Sequence, residues 1–429
     1  KGEVNVFNLD RNRINLYDLL ISLTNAVDLI SPEVADHQQQ VAYMAVKVAE
    51  QLGLPAQQRK TLMLAGLLHD MGALTLDERL MLIEDEPPSK NDHAFRGARL
   101  FEGVSLLSDA ANVIRFHHVP WENGEGKAFD GNTVPMLSHI IHLADRIAVA
   151  IDKNRNIIGQ ISEIRNRIKG QKDTVFMPEL VDAFLNMSNH EYLWLNLQYE
   201  PLRYALPEIV TFETVELNID EVIELTHIFA SIIDFRSPFT ANHSAGVAKT
   251  AQKLAQLAMF SDRECKMMLI AGNLHDLGKL AVRRTILEKP DKLERDEFDE
   301  MRGHTFYTYR LLQSIKGFET ITQWASFHHE KLDGSGYPFH LDARFIPLGS
   351  RIMAVADIFT AISEDRPYRK GIPKDKVISV LESMAKNGHI CKYVVSLLAD
   401  NCEEVNNIRI QAQTQASIEY KNYIRPELV

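Results

Sequence analysis

At 429 residues the chain exceeds one ordinary hydrophobic core, and size scaling calls for two or three domains. A net charge of −11 excludes a general DNA or RNA binder, which needs surplus Lys and Arg to displace counterions. With 45% hydrophobic and 24% charged residues, and no apolar run near the roughly 20 residues that cross a bilayer, the composition is that of a soluble globular protein with no membrane segment. Cys265, Cys391 and Cys402 are too few and too irregularly spaced for a disulfide frame or a thiolate zinc site, and read as buried free thiols. No signal-type segment opens the chain, so a cytoplasmic location is expected. A first residue of Lys1 is what a fragment shows, which leaves room upstream for a sensor or anchor.

Taken from the N-terminus, the chain reads mostly as helix, and it reads the same way twice. Residues 12–200 carry, in order, His37, His69-Asp70, His93, His117-His118 and Asp145. The same order returns as His243, His275-Asp276, His304, His328-His329 and Asp357, offset by 206 residues at the first pair and 212 at the last. The flanks agree: Ser31-Pro32 with Ser237-Pro238, Pro135 with Pro347, and Leu180, Val181, Phe184 and Leu185 with Tyr393, Val394, Leu397 and Leu398. The Pro-containing stretch 200–208 is the expected boundary, which gives domains 1–205 and 206–429 related by internal duplication. A helix around residues 220–234 leads into the second copy. From His243 the apolar positions Val247, Ala251, Leu254 and Ala258 recur at helical spacing, so the histidine lies on the core-facing stripe, with Ser-Pro before it as helix start. Residues 267–274 form another apolar helix running into His275-Asp276, and residues 351–362 a third that carries Asp357. No sustained period-two alternation calls for a large sheet, so the fold class is all-α, with two tandem helical domains. From about Glu403 onward there is little usable pattern.

A lone His-Asp pair is usually a structural hydrogen-bonded pair. Five histidines and two aspartates on apolar helices of one domain are another matter, because buried polar groups without partners are costly and metal coordination satisfies all of them at once. Imidazole and carboxylate without thiolate suit Fe, Mn, Ni or Zn. Seven donors are too many for one ion with an open position, so two divalent ions are expected, one on His243, His275, Asp276 and Asp357, the other on Asp276, His304, His328 and His329, with Asp276 bridging. Two close cations bring a shared water to a pKa near neutrality and neutralise charge on a phosphoryl group, and phosphodiester hydrolysis needs both.

The segment 328–338, His-His-Glu-Lys-Leu-Asp-Gly-Ser-Gly-Tyr-Pro, resembles the signature of the HD-GYP branch of the HD superfamily of metal-dependent phosphohydrolases. Asp365-Arg366-Pro367-Tyr368-Arg369 resembles that family's basic stretch, and the likeness covers about residues 218–400. It implies an all-helical domain with a two- or three-metal centre that linearises cyclic di-GMP, sometimes continuing to mononucleotide. It also implies substrate-phosphate contacts from Lys279, Arg366 and Arg369. The residues agree: Lys279 stands one helical turn beyond His275 on the same face, and Arg366 and Arg369, three apart, can fork around a second phosphate. In the signature loop, Asp333, Gly334 and Gly336 suit a tight turn that Tyr337-Pro338 stiffens, which points to a structural or partner-binding role. Three-metal members of the family carry a carboxylate four residues before the first histidine. Phe239 stands there, so two metals are expected.

The first copy keeps a possible metal set, His37, His69, Asp70, His93, His117, His118 and Asp145, and has Glu33 opposite Phe239, where a first-turn acid favoured by the helix dipole also accounts for it. Ala73 replaces the lysine, residues 119–126 replace the signature loop, and Asn154 and Ile157 stand opposite the two arginines. A degenerate regulatory or scaffolding domain is expected, against a second enzyme acting on another phosphate. The whole is read as a phosphodiesterase of a cyclic dinucleotide, with cyclic di-GMP and 3′3′-cyclic GMP-AMP as the two candidates. The competing reading is a catalytically silent signalling adaptor whose loop binds a protein partner. A nucleotidase of the wider superfamily would lack the Gly-Tyr-Pro loop. Packing of the two copies on each other is also expected of a duplicated helical unit.

Overall fold

The computed structural model describes residues 13–30, 35–73, 75–84, 90–198, 215–235, 242–364 and 370–424. These are overwhelmingly helical, as expected. The only strands among them are two antiparallel pairs of two residues, Ile14–Asn15 with Glu216–Leu217 and Ala128–Phe129 with Asn132–Thr133. The three cysteines are free and buried. No described helix is long and apolar enough to cross a membrane.

Two compact units result, one of residues 27–213 with 418–429, the other of residues 1–26 with 214–417. The bounds read from sequence cut the chain once, whereas the contacts group its ends crosswise. In the second unit Ile14 pairs with Leu217, and the Ser22 hydroxyl donates to the Leu311 carbonyl. In the first unit the Tyr423 hydroxyl donates to the Gly72 carbonyl.

In the second unit, helix Ile219–Asp234 starts at a capping box in which Asn218 and Glu221 satisfy each other's backbone N–H groups, and Ser261 with Glu264 does the same for Asp262–Leu274. Between them runs His243–Leu257, burying Val247, Ala251 and Leu254 as the spacing predicts. The helices of His243 and Asp262 cross so tightly that a Cβ on Gly272 would stand 2.4 Å from the Ala248 Cα. Only glycine permits that approach. The crossing brings His243, at the start of one helix, towards His275, just past the end of the other. The first unit repeats the device: helices His37–Gln51 and Ala56–Leu68 cross where a Cβ on Gly66 would meet the Ala42 Cα at 2.6 Å.

A second glycine in each copy does comparable work. A Cβ on Gly278 would lie 1.9 Å from the His304 carbonyl oxygen, and one on Gly72 lies 2.0 Å from that of His93. The segment after each His-Asp pair therefore backs directly onto the helix bearing the next histidine, Arg295–Leu312 in the second unit and Lys90–Phe101 in the first. Helix Leu348–Ser363 carries Asp357, and Met136–Val149 carries Asp145. The repeated apolar string is buried at Leu180, Val181 and Phe184 and again at Val394 and Leu398. Both Ser-Pro starts lie outside the described residues.

The stretch from Glu403, patternless by hydrophobicity, is a 22-residue helix, Cys402–Tyr423. Its buried positions Cys402, Val405, Arg409, Gln413, Ala416 and Tyr423 keep helical spacing, but Arg409 and Gln413 are polar. A stripe-seeking eye passes over them for that reason.

Candidate metal centres

In the second unit the helix of Asp262 ends at Leu274, and His275 and Asp276 follow at its C-terminal end. Asp276 turns one oxygen towards each half of a cluster. Its Oδ2 lies 3.2 Å from His275 Nε2 and its Oδ1 lies 3.5 Å from His304 Nε2. His243, His275 and Asp276 offer donor atoms within 4.8 Å of one another, and so do His304, His328 and His329. Asp357 Oδ1 stands 3.2 Å from His243 Nε2, and its Oδ2 4.0 Å from His329 Nδ1. The fold thus brings together all seven side chains singled out in the second copy, with Asp357, expected in the group of His243, set between the two groups.

Each ring is aimed. Nδ1 of His275, His304 and His328 donates to the carbonyl three residues back, that of Gly272, Met301 and Ala325 respectively, at 2.8, 2.6 and 2.6 Å. That bond leaves the Nε2 lone pair facing inwards. Burial would raise the Asp276 carboxyl, but His275, Lys279 and His304 hold it well below the usual carboxylate range. Burial pushes His304 down to about 3 and lowers His328, with His329 beside it adding to that shift, so both rings are neutral donors. His243 goes the other way. Burial opposes its charge, yet Glu364 and Asp357 push it up to about 10.

Lys279 reaches the cluster by a different route from the expected continuous helical turn. The chain tightens at Asp276 into a 3-10 turn, Leu277–Ala281, where Gly278 backs onto the His304 carbonyl, and Lys279 Nζ comes to 2.5 Å from Asp276 Oδ2. In the signature loop Gly334 has φ +80°, and a Cβ on Gly336 would lie 2.3 Å from the Lys331 nitrogen, so both glycines are needed for the turn. Asp333 Oδ1 accepts from the Ser335 N–H and hydroxyl. Pro338 follows Tyr337, whose ring packs 5.0 Å from His329 and under the Arg302 guanidinium at 5.1 Å. Arg366, Arg369, Glu33 and Phe239 lie outside the described residues.

The first unit assembles the same cage. Asp70 Oδ2 faces His37 and His69 at 3.7 and 3.4 Å, and its Oδ1 faces His93 and His117 at 3.2 and 3.9 Å. His118 Nε2 is 3.2 Å from His93 Nε2, and Asp145 Oδ1 is 3.1 Å from His37 Nε2. The outer oxygen of Asp145 is taken by Arg146, at 2.8 Å. Where the second unit has its signature loop, Trp121 and the residues after it bond instead to the 173–175 segment, with the indole N–H donating to Asp173.

The donor sets fit divalent ions. Nε2 of His275, and of His69 and His117 in the first unit, is buried yet makes no hydrogen bond with any described residue, although carboxylate oxygens lie within 3.9 Å. A nitrogen and a carboxylate oxygen left facing the same point, in a set of imidazoles and carboxylates, suit a shared cation.

Sequence reasoning missed two carboxylates and a pair of glycines. Glu330 is buried and its carboxylate accepts from the N–H groups of Phe339 and Leu341, which closes the signature loop. Glu364 meets His243 Nδ1 with both oxygens at 3.2 Å. Its place seven residues after Asp357, two helical turns along one face, was the available signal. Gly66 and Gly272, 206 apart and each aligned with an alanine, were another.

HD domain models match residues 34–150 and 227–392. The 3′3′-cGAMP-specific phosphodiesterase 1 of Vibrio cholerae is 28% identical over 407 residues, covering 92% of this chain and 94% of the relative. A cyclic di-GMP phosphodiesterase of Thermotoga maritima is 32% identical over 168 residues, 39% of this chain and 46% of its own length. Among solved structures, a cyclic GMP-AMP specific phosphodiesterase of Vibrio cholerae superposes with a TM-score of 0.64 at 24% identity, covering 91% of this chain and 98% of that one, a likeness of fold. The chain carries two HD domains in tandem and is homologous to the HD-GYP phosphodiesterases.

Proposed function

We propose that the second unit is a metal-dependent phosphodiesterase that opens one phosphodiester bond of a cyclic dinucleotide, 3′3′-cyclic GMP-AMP or cyclic di-GMP, to give the linear dinucleotide. The observation that carries this is the pairing of two donor groups, His243, His275 and Asp276 with His304, His328 and His329, joined where Asp276 turns its second oxygen to His304 and Asp357 faces His243 and His329, with Lys279 at the rim. The named substrates of the relatives that span most of the chain support the substrate class. Two divalent ions, of Fe, Mn, Ni or Zn, would be held there, and when bound they supply Lewis acidity towards the phosphoryl oxygens and bring water towards a neutral pKa.

The remaining work falls to the protein. The backbone carbonyls of Gly272, Met301 and Ala325 hold three rings in the tautomer that presents Nε2. Lys279 carries a compact positive charge to the centre, placed to receive a non-bridging phosphate oxygen, and Arg366 and Arg369 serve the second phosphate. Tyr337 and Arg302 stack behind His329 and keep its ring in place, which gives the signature loop a structural role at the centre.

The first unit has a donor cage but Ala73 in place of the lysine, and its role is regulatory or scaffolding. The test is incubation of the purified chain with Mn(II) or Fe(II) and each cyclic dinucleotide, with products resolved by chromatography. Linear dinucleotide is expected, lost in His275→Ala and retained in His69→Ala. The reverse pattern would move the activity to the first unit, and binding without turnover would make the protein an adaptor.

A further inference from the structure

Three histidines of the second centre are steadied by a carbonyl of the preceding helical turn. His243 opens its own helix, and its Nδ1 is met by a carboxylate instead. Helix Leu348–Ser363 supplies Asp357 to the Nε2 side at 3.2 Å, and Glu364, directly after its end, supplies both oxygens to the Nδ1 side at 3.2 Å. The ring is held at both nitrogens by one element.

Glu364 is itself held from outside the centre. Gln413 Nε2 donates to Glu364 Oε2 at 2.9 Å, Gln413 Oε1 accepts from the Arg409 guanidinium, and Arg409 Nη2 donates to Asn406 Oδ1 at 2.8 Å. His243, Glu364, Arg409 and Gln413 are all more than nine-tenths buried. A fully buried chain of polar groups from a centre to a distant helix is costly unless every member is paired, as these are. Two neighbours make room for it. A Cβ on Gly246 would meet the Gln413 side chain at 2.9 Å, and Asn242 donates to the Ser417 hydroxyl one turn farther along the same helix. Among the described residues the matching position of the first unit differs. Asp152, which stands opposite Glu364 in the alignment of the copies, is exposed and accepts from the Asn154 N–H in its own loop.

We propose that Glu364 is a positioning residue for His243, and that residues 402–417 of the C-terminal helix hold it there through Gln413, so that this helix sets the metal affinity of the second centre. A carboxylate accepting the Nδ1–H fixes the Nε2 lone pair towards the centre and makes that nitrogen more basic. The inference rests on the reading of the cluster as a metal centre.

It is tested on the full chain by calorimetric titration with Mn(II) and by the visible spectrum of the Co(II)-loaded protein, with Asp276→Ala reporting the metal held by the first unit alone. Glu364→Ala is expected to weaken Mn(II) binding at the second centre about 10–100-fold and to change the Co(II) bands. Glu364→Gln keeps an acceptor and loses less. Gln413→Leu leaves Glu364 in place without its clamp and is expected to lose about 10-fold, the lower end of the range for such outer partners. At saturating Mn(II) these variants should recover most of kcat with KM unchanged, which a merely structural lesion would not do. Should Glu364→Ala fail to fold, Gln413→Leu and Gly246→Ala carry the test. Binding and Co(II) spectra unchanged in Gln413→Leu and in either Glu364 variant overturn the proposal. Because the readout is metal binding, a wild-type protein that binds metal without cleaving a cyclic dinucleotide would sink the proposed activity and leave this inference standing.

Discussion

The two centres share a cage and differ in what surrounds it. In both, one aspartate turns an oxygen to each half of a histidine cluster, and in both, two glycines let backbones approach closely enough to bring the histidines together. Around the second cage stand Lys279, the loop closed by Glu330 with Tyr337 against His329, and Glu364 behind His243. Around the first stand Ala73, a loop tied to the 173–175 segment, and Arg146 occupying the outer oxygen of Asp145. The two copies therefore keep the same donor set and differ in the groups around it, which is the division that the proposed roles of the two units require.

The sharpest way to break this comparison is to remove the central carboxylate from each copy. Asp276→Ala should lower kcat for cyclic dinucleotide hydrolysis by about 10³-fold or more, the scale of several kcal/mol of lost electrostatic stabilisation, whereas Asp70→Ala should stay within a few-fold. Equal losses would show two working sites. Next in size, Lys279→Ala should cost about 10²-fold in kcat/KM, as loss of one preorganised cationic donor does, while Ala73→Lys should confer no activity on a chain disabled at Asp276. Steady-state kinetics on both cyclic dinucleotides decides it.

The shared scaffold is tested by stability. Gly272→Ala and Gly66→Ala each place a Cβ within 2.6 Å of a facing backbone atom, and each should cost about 1–3 kcal/mol, seen as a lowered thermal midpoint. A large effect at one glycine and none at the other would refute the equivalence of the two crossings. The smallest expected effect separates the units by pH. His139 of the first unit is buried against Trp121, and burial pushes its pKa down to about 4, with His142 adding to the shift, while the second copy has Arg351 in its place. The unfolded chain takes up a proton near pH 6.5 that the folded one refuses. Stability is thus complete above about pH 6.5 and declines as pH falls towards about 4. His139→Phe should flatten that decline by a few degrees of thermal midpoint between pH 6.5 and 4.5.

Much of this was legible in advance because the informative residues are chemically unusual. Histidine beside aspartate, repeated in fixed order on apolar helices, identifies donors without coordinates, and the fall of His243 on an apolar stripe says which way it points. Lys279 was singled out by the family resemblance, with its distance from His275 in agreement, though a tightened turn and no continuous helix brings it to Asp276. What hydrophobic periodicity passed over is polar and buried: the helix Cys402–Tyr423 shows Arg409 and Gln413 where a core stripe would show leucine.

By itself the order of residues determined the helical class, the duplication and the identity of the histidines and aspartates that cluster, because each depends on periodicity or on side-chain chemistry that is local and countable. Tertiary structure alone decided which oxygen of Asp276 faces which ring, that Gly272 and Gly278 set the spacing of the cage, and that a carboxylate and a distant helix stand behind His243. Those depend on backbones meeting across long stretches of sequence, where contact is set by packing and leaves no period in the chain.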